Sequence, residues 1–239
     1  MLKNLKDIEG FKIHAQDGEI GKVKDFLFDD HSWTIRYMVV NTGSWLSGQS
    51  VLVATDAFSK VEWDQKRFDV SVTKKMIVNS PHLDEHIPIS RKHEELLRTH
   101  FSWPIYWSNE AAPITLPFNP EETRPKPSYD SNLESVNDLE SFSIHATDEK
   151  IGKIEGFIVD EKWVIRYFVI DSSNWLTGRK VIISPEWINS FDNDQGNILI
   201  NHTIQEIKES PEYDDKYPLE REHENELYEH YKQNKYWGT

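Results

Sequence analysis

The feature that most constrains this chain is that it repeats itself. Phe11-Lys-Ile-His-Ala-Gln-Asp-Gly-Glu-Ile-Gly-Lys-Val23 matches Phe142-Ser-Ile-His-Ala-Thr-Asp-Glu-Lys-Ile-Gly-Lys-Ile154 at an offset of 131. One residue is lost near Asp30 and His31, and the offset becomes 130. Trp33-Thr-Ile-Arg-Tyr-Met-Val-Val40 then meets Trp163-Val-Ile-Arg-Tyr-Phe-Val-Ile170, and Trp45-Leu-Ser-Gly48 meets Trp175-Leu-Thr-Gly178. The register holds to the end: Arg91, His93, Glu94, Leu97, His100, Tyr106 and Trp107 align with Arg221, His223, Glu224, Leu227, His230, Tyr236 and Trp237. A register kept over about a hundred positions marks an internal duplication, and the duplicated object includes the tail after the core.

Each copy reads as β-rich. Asp17-Gly18 between apolar runs signals a tight hairpin turn, because both turn positions need φ > 0. The second copy has Asp148-Glu149 there, so its turn must differ. Lys22–Phe28 and Trp33–Val40 read as strands, and Trp33, Ile35, Tyr37 and Val39 would share the inward face at period two. Ser50–Val53 reads as a short strand, and Val61–Trp63 with Phe68–Ser71 as a second hairpin. Thr73–Asn79 reads as a short helix that stops before Ser80-Pro81. From Ser90, an N-cap residue type, the tail reads as a helix that ends by Pro104.

The expected fold is mainly β with short helices: two small β-barrels, each followed by a C-terminal helical, aromatic-rich tail. The expected boundaries are 1–82 for the first barrel, 83–107 for its tail, 108–133 for a linker, 134–213 for the second barrel and 214–239 for its tail. The linker carries Pro113, Pro117, Pro120, Pro125 and Pro127, a density that prevents regular helix. Nine tryptophans supply the large apolar side chains a small core needs.

Charge and composition restrict the function. The net charge is −14, divided as 14 basic against 16 acidic residues in 1–119 and 13 against 25 in 120–239. An acidic half repels phosphate backbones, so DNA is not an expected partner and RNA is a poor one. There are no cysteines, which excludes disulfides, thiolate metal sites and cysteine nucleophiles. No secretory signal and no apolar run of membrane-spanning length are visible, so the expected location is cytoplasmic.

The motif Glu19-Ile-Gly-Lys-Val-Lys-Asp-Phe-Leu-Phe-Asp-Asp30, followed by Trp33-x-Ile-Arg-Tyr-x-Val-Val40 and Trp45-Leu-Ser-Gly-Gln-Ser-Val-Leu-Val53, resembles the PRC-barrel family. That family includes the cytoplasmic barrel of the photosynthetic reaction centre H subunit and a domain of a ribosome maturation factor. Ile89–Trp107 resembles the extension that follows the barrel in stand-alone bacterial members. The first copy has Gln49-Ser50 where Arg-Lys is usual, and the second keeps Arg179-Lys180. The resemblance implies a strongly bent small barrel acting as a docking or scaffolding surface, and it does not imply catalysis.

Few residues suggest chemistry. His93 and His100 recur seven apart, too far along a helix for one ion, and the paired-histidine zinc pattern is absent. Asp29-Asp30 and Asp160-Glu161 suit turns. No phosphate loop or nucleophile elbow is present. The chain is therefore expected to be no enzyme and to need no cofactor or metal. The candidate interaction residues are Trp45 and Trp175 in loops, Arg36 and Arg166 opposite the inward stripe, and Trp107 and Trp237 at the tail ends. For Arg36, Asp25 is the expected ionic partner. The expected function is a protein-interaction scaffold with an unidentified protein partner, a second copy of the chain among the candidates. The alternatives are an accessory factor in RNA processing or ribosome assembly, or an electron-transport-associated or ligand-binding protein. The aromatic tails are expected to pack on the other barrel or on a second chain.

Overall fold

A computed structural model describes residues 2–81, 89–107, 133–171, 179–192 and 195–238. In the first copy the strands are β1 (Lys3–Asn4), β2 (Lys12–Ala15), β3 (Gly18–Asp29), β4 (Thr34–Asn41), β5 (Ser50–Ala54), β6 (Phe58–Glu62) and β7 (Arg67–Val70). They are followed by the helices α1 (Lys74–Val78) and α2 (Arg91–Phe101). The second copy has β8 (Leu133–Ser135), α3 (Val136–Glu140), β9 (Ser143–His145), β10 (Lys150–Val159), β11 (Ile165–Asp171), β12 (Lys180–Ile183), β13 (Ile188–Asp192), β14 (Asn197–Ile200), α4 (Ile204–Lys208) and α5 (Arg221–His230). Among the described residues, no helix is long and apolar enough to cross a membrane. The proline-rich segment 108–132 lies outside the described residues.

The elements form where the sequence places them, for local reasons. Thr73 caps α1 by accepting from the Met76 amide, and Ser90 caps α2 by accepting from the His93 amide. The inward stripe holds for Ile35, Tyr37 and Val39, but Met38 and Val40 are equally buried. Strand β4 therefore has apolar residues on both faces from position 37 onward, and alternation alone understates its burial.

Two seven-stranded sheets result. One runs β5-β4-β3-β2-β7-β6 with β8 also paired to β3; the other runs β12-β11-β10-β9-β14-β13 with β1 also paired to β10. In each, the first strand after the entry segment pairs parallel with the last: β2 with β7, and β9 with β14. The repeated Ile-Gly-Lys has a steric cause. A Cβ on Gly21 would lie 2.1 Å from the Asn41 carbonyl oxygen, and one on Gly152 would lie 2.2 Å from that of Asp171. Only glycine lets the long strand pass so close to its neighbour.

The compact units of the chain cut across the repeat. One gathers residues 1–9, 25–36 and 134–239, and the other 10–24 and 37–133. In the first of these, β1 pairs antiparallel with β10 through Lys3 with Val159 and Asn4 with Ile158, and Leu5 and Ile8 are buried behind it. The same unit contains a reciprocal pairing of equivalent residues. The Ile35 amide donates to the Trp163 carbonyl at 2.8 Å, and the Ile165 amide donates to that of Trp33 at 2.7 Å. Both tryptophans sit at positive φ (52° and 63°), unusual for a bulky residue. Stacking of Trp33 on Phe28 and of Trp163 on Phe26 holds them there.

Each tail helix packs on the barrel of its own copy, contrary to the expectation that it would cross to the other barrel. Tyr37 in β4 bonds Glu94 in α2, and Tyr167 in β11 bonds Glu224 in α5. The physical reason is that the buried partner for each tail glutamate, a strand tyrosine, was duplicated with it.

Candidate functional site

The densest convergence of polar groups in each copy is where the tail helix meets the sheet. In the first copy, Glu94 is fully buried and its Oε2 accepts from the hydroxyls of Tyr37 at 3.1 Å and Tyr106 at 2.8 Å. Its Oε1 lies 3.1 Å from Nη1 of Arg91, one helical turn earlier. Arg98, 1% exposed, donates through Nε to the Tyr37 hydroxyl at 2.8 Å and pairs with Asp56 at 3.1 Å. It also bonds the Pro104 carbonyl, which fixes the chain where the helix stops. Burial pushes the Glu94 carboxyl above its usual range and the Tyr37 and Tyr106 hydroxyls far above theirs. These tyrosines stay protonated and act as donors.

The second copy keeps the carboxylate and both tyrosines. Glu224 Oε1 accepts from Tyr167 at 2.7 Å and Tyr236 at 2.9 Å, and Arg221 lies 2.8 Å from its Oε2. The position of Arg98 is taken by Tyr228, which is 1% exposed and packs its ring against Trp187 and Trp237. Burial raises the Tyr228 hydroxyl to about 12. A second pin is common to both copies. His100 Nε2 lies 2.8 Å from the Met76 carbonyl and His230 Nε2 lies 2.7 Å from that of Glu206, so each Nε2 carries the proton and donates.

The residues singled out from the sequence are placed as follows. Trp107 and Trp237 are half-buried, with the guanidinium carbons of Arg91 and Arg221 at 4.4 and 4.2 Å from their ring centres. Arg166 pairs with Asp160 at 2.8 Å and lies 4.0 Å over the Tyr236 ring. Arg36 donates to the Ser32 hydroxyl. Asp25, the expected partner of Arg36, is engaged elsewhere: it accepts from the Ser135 hydroxyl at 2.7 Å and from the Asn137 amide at the start of α3. Burial holds the Asp25 carboxyl above its usual range. Trp45 is half-buried, donates to the Ile20 carbonyl at 2.5 Å and has Lys74 over its ring at 5.4 Å. Trp175 lies outside the described residues.

Among the described residues, one group has ligand atoms close enough together for a metal ion: Asp29, Asp30 and His31. Asp29 Oδ1 there accepts from the amides of His31 and Ser32 and from the Ser32 hydroxyl, the bonding of a turn-building aspartate. The alignment of the copies pairs Glu94 with Glu224 and Tyr37 with Tyr167, but neither glutamate is among the candidate residues that the sequence singles out. The signal that identifies them is identity across the two copies at a buried helix position, where a charge persists only if paired.

The densest polar cluster of each copy thus fastens its tail. The family model described as PRC-barrel domain matches residues 2–84 and again residues 132–205. Among curated proteins, none matches the chain.

Proposed function

The chain belongs to the PRC-barrel family, and on that premise we propose that it is a non-enzymatic scaffold that binds proteins in the cytoplasm through the unlike exteriors of its two copies. The observation that carries this reading is the contrast between fastening and surface. Glu94 and Glu224 hold their tails with the same tyrosine pair, whereas exposed positions have diverged. Val78 and Leu96, exposed on α1 and α2, stand at the positions of Lys208 and Glu226 in the second copy. The cysteine-free composition fits a reducing compartment.

The test is a native pulldown with the full chain, followed by cross-linking from the exposed lysines Lys216 and Lys232. The expected result is a stoichiometric protein partner cross-linked to the second copy. No stoichiometric partner, together with a monomeric solution mass, would overturn the reading.

A further inference from the structure

Within the second copy, the segment 212–220 passes beside α5 and leaves an open groove of about 500 Å³. Tyr217 stands in it at 70% exposure, and Pro218 and Leu219 continue the apolar lining. Among the described residues, its ring has no stacking or hydrogen-bond partner. A large exposed aromatic beside a helix is the kind of side chain that anchors an interface. His223 lines the same groove.

The rim determines the chemistry of the occupant. Glu212, Glu220, Glu222 and Glu226 line it. The corresponding residues of the first copy are His82, Ser90, Lys92 and Leu96, so all four carboxylates are particular to this copy. Glu212 lies 3.6 Å from Arg179, while Glu220, Glu222 and Glu226 make no ion pair among the described residues. The α5 N-terminus accounts for an acid at 222, but not for one at 226, a turn further on. Like charges one turn apart destabilise a free helix, and a positive partner relieves that repulsion.

We propose that this groove is a docking site for a basic protein segment that carries an apolar side chain, with Tyr217 as the anchor and Glu220, Glu222 and Glu226 as the charge that selects it. The inference rests on the interaction-protein reading and names the partner's chemistry.

The test uses the full chain and a short fluorescein-labelled peptide of lysine, arginine and leucine. Anisotropy titration should show saturable binding that weakens with added salt. Glu222→Lys with Glu226→Lys should weaken it by about tenfold or more. Tyr217→Ala should weaken it by about fivefold or more. A control with the same charge change elsewhere, Glu95→Lys with Glu149→Lys, should have a much smaller effect. The inference is overturned if the control weakens binding as much as the groove pair, or if Tyr217→Ala leaves it unchanged. Saturable calcium binding abolished by the groove pair would assign the groove to a divalent cation instead. A concentration-dependent dimer lost in the same variants would assign it to a second copy. If the groove variants leave the pulldown partner in place, this inference fails and the scaffold reading stands. If the pulldown finds no partner, the scaffold reading itself fails.

Discussion

Glu94 and Glu224 occupy the same place in the two copies and bond the same pair of tyrosines, yet the side chain one turn further along the helix is Arg98 in one copy and Tyr228 in the other. The neighbours have changed to match. Arg98 adjoins the Asp56-Ala57 pair of its copy, and the corresponding residues near Tyr228 are Glu186 and Trp187. One copy closes its latch with a buried ionic network and the other with an aromatic cluster. The comparison teaches that the carboxylate–tyrosine pair is the invariant part of the fastening. The volume beside it is filled by whichever chemistry the facing residues support.

The largest effect should come from removing the carboxylate in the ionic copy. Glu94→Ala removes a fully buried carboxylate that accepts from Tyr37 and Tyr106 and pairs with Arg91, which is only 23% exposed, and should destabilise by about 3–5 kcal/mol in urea unfolding followed by tryptophan fluorescence. Glu224→Ala leaves two hydroxyls unmatched, but its Arg221 side chain is 46% exposed and regains water, so about 1–3 kcal/mol is expected. Equal losses from the two substitutions would break the distinction between the latches.

A smaller effect sharpens it. Tyr228→Arg places a guanidinium against Trp187, and Trp187→Ala restores the small residue that accompanies arginine in the first copy. The double variant should be more stable than the sum of the singles predicts, by about 0.5–3 kcal/mol. Strict additivity would mean that the two positions did not diverge together.

The pH dependence is smaller again. Burial raises the Glu94 carboxyl, so the native state holds that proton more tightly than the unfolded chain does. Stability contributed by this group is therefore gained as pH falls through the folded-state pKa and lost as pH rises above it. The unfolding free energy of the wild type minus that of Glu94→Gln should increase between pH 7 and pH 5. A decrease would show that attraction to Arg91 and Arg98 outweighs burial. Least of all should come from Val78→Lys and Leu96→Glu, which place second-copy residues on the first copy's exposed positions. Each should change stability by no more than about 0.5 kcal/mol, and a larger loss would show that these surfaces are not equivalent.

Most of the architecture was legible because its causes are local. The Ser90 cap, the stop before Pro104 and the strand periods all act within a few residues, and the hairpin expected at Asp17-Gly18 forms with its turn one residue earlier, at Gln16-Asp17, because Gly18 already pairs with Ala15. The latch was legible only in part. Identity between the copies marked Tyr37, Glu94 and Tyr106, but their convergence depends on packing between residues 57 apart in sequence. Leu96 and Leu97 look alike in sequence, and only helix phase separates the 53% exposed side chain from the 2% exposed one. The engagement of Asp25 with Ser135 and Asn137, across more than a hundred residues, has no local sign at all.

The pairing of β1 with β10 also bears on how the protein is made. Leu2, Leu5 and Ile8 are synthesised about 150 residues before the strand that receives them, a delay of roughly 10–30 s at ordinary elongation rates. Throughout that interval the nascent chain carries an apolar segment without its native neighbour. Completion of the fold is therefore timed by synthesis of the second copy, and a chain that stops after the first tail never reaches it.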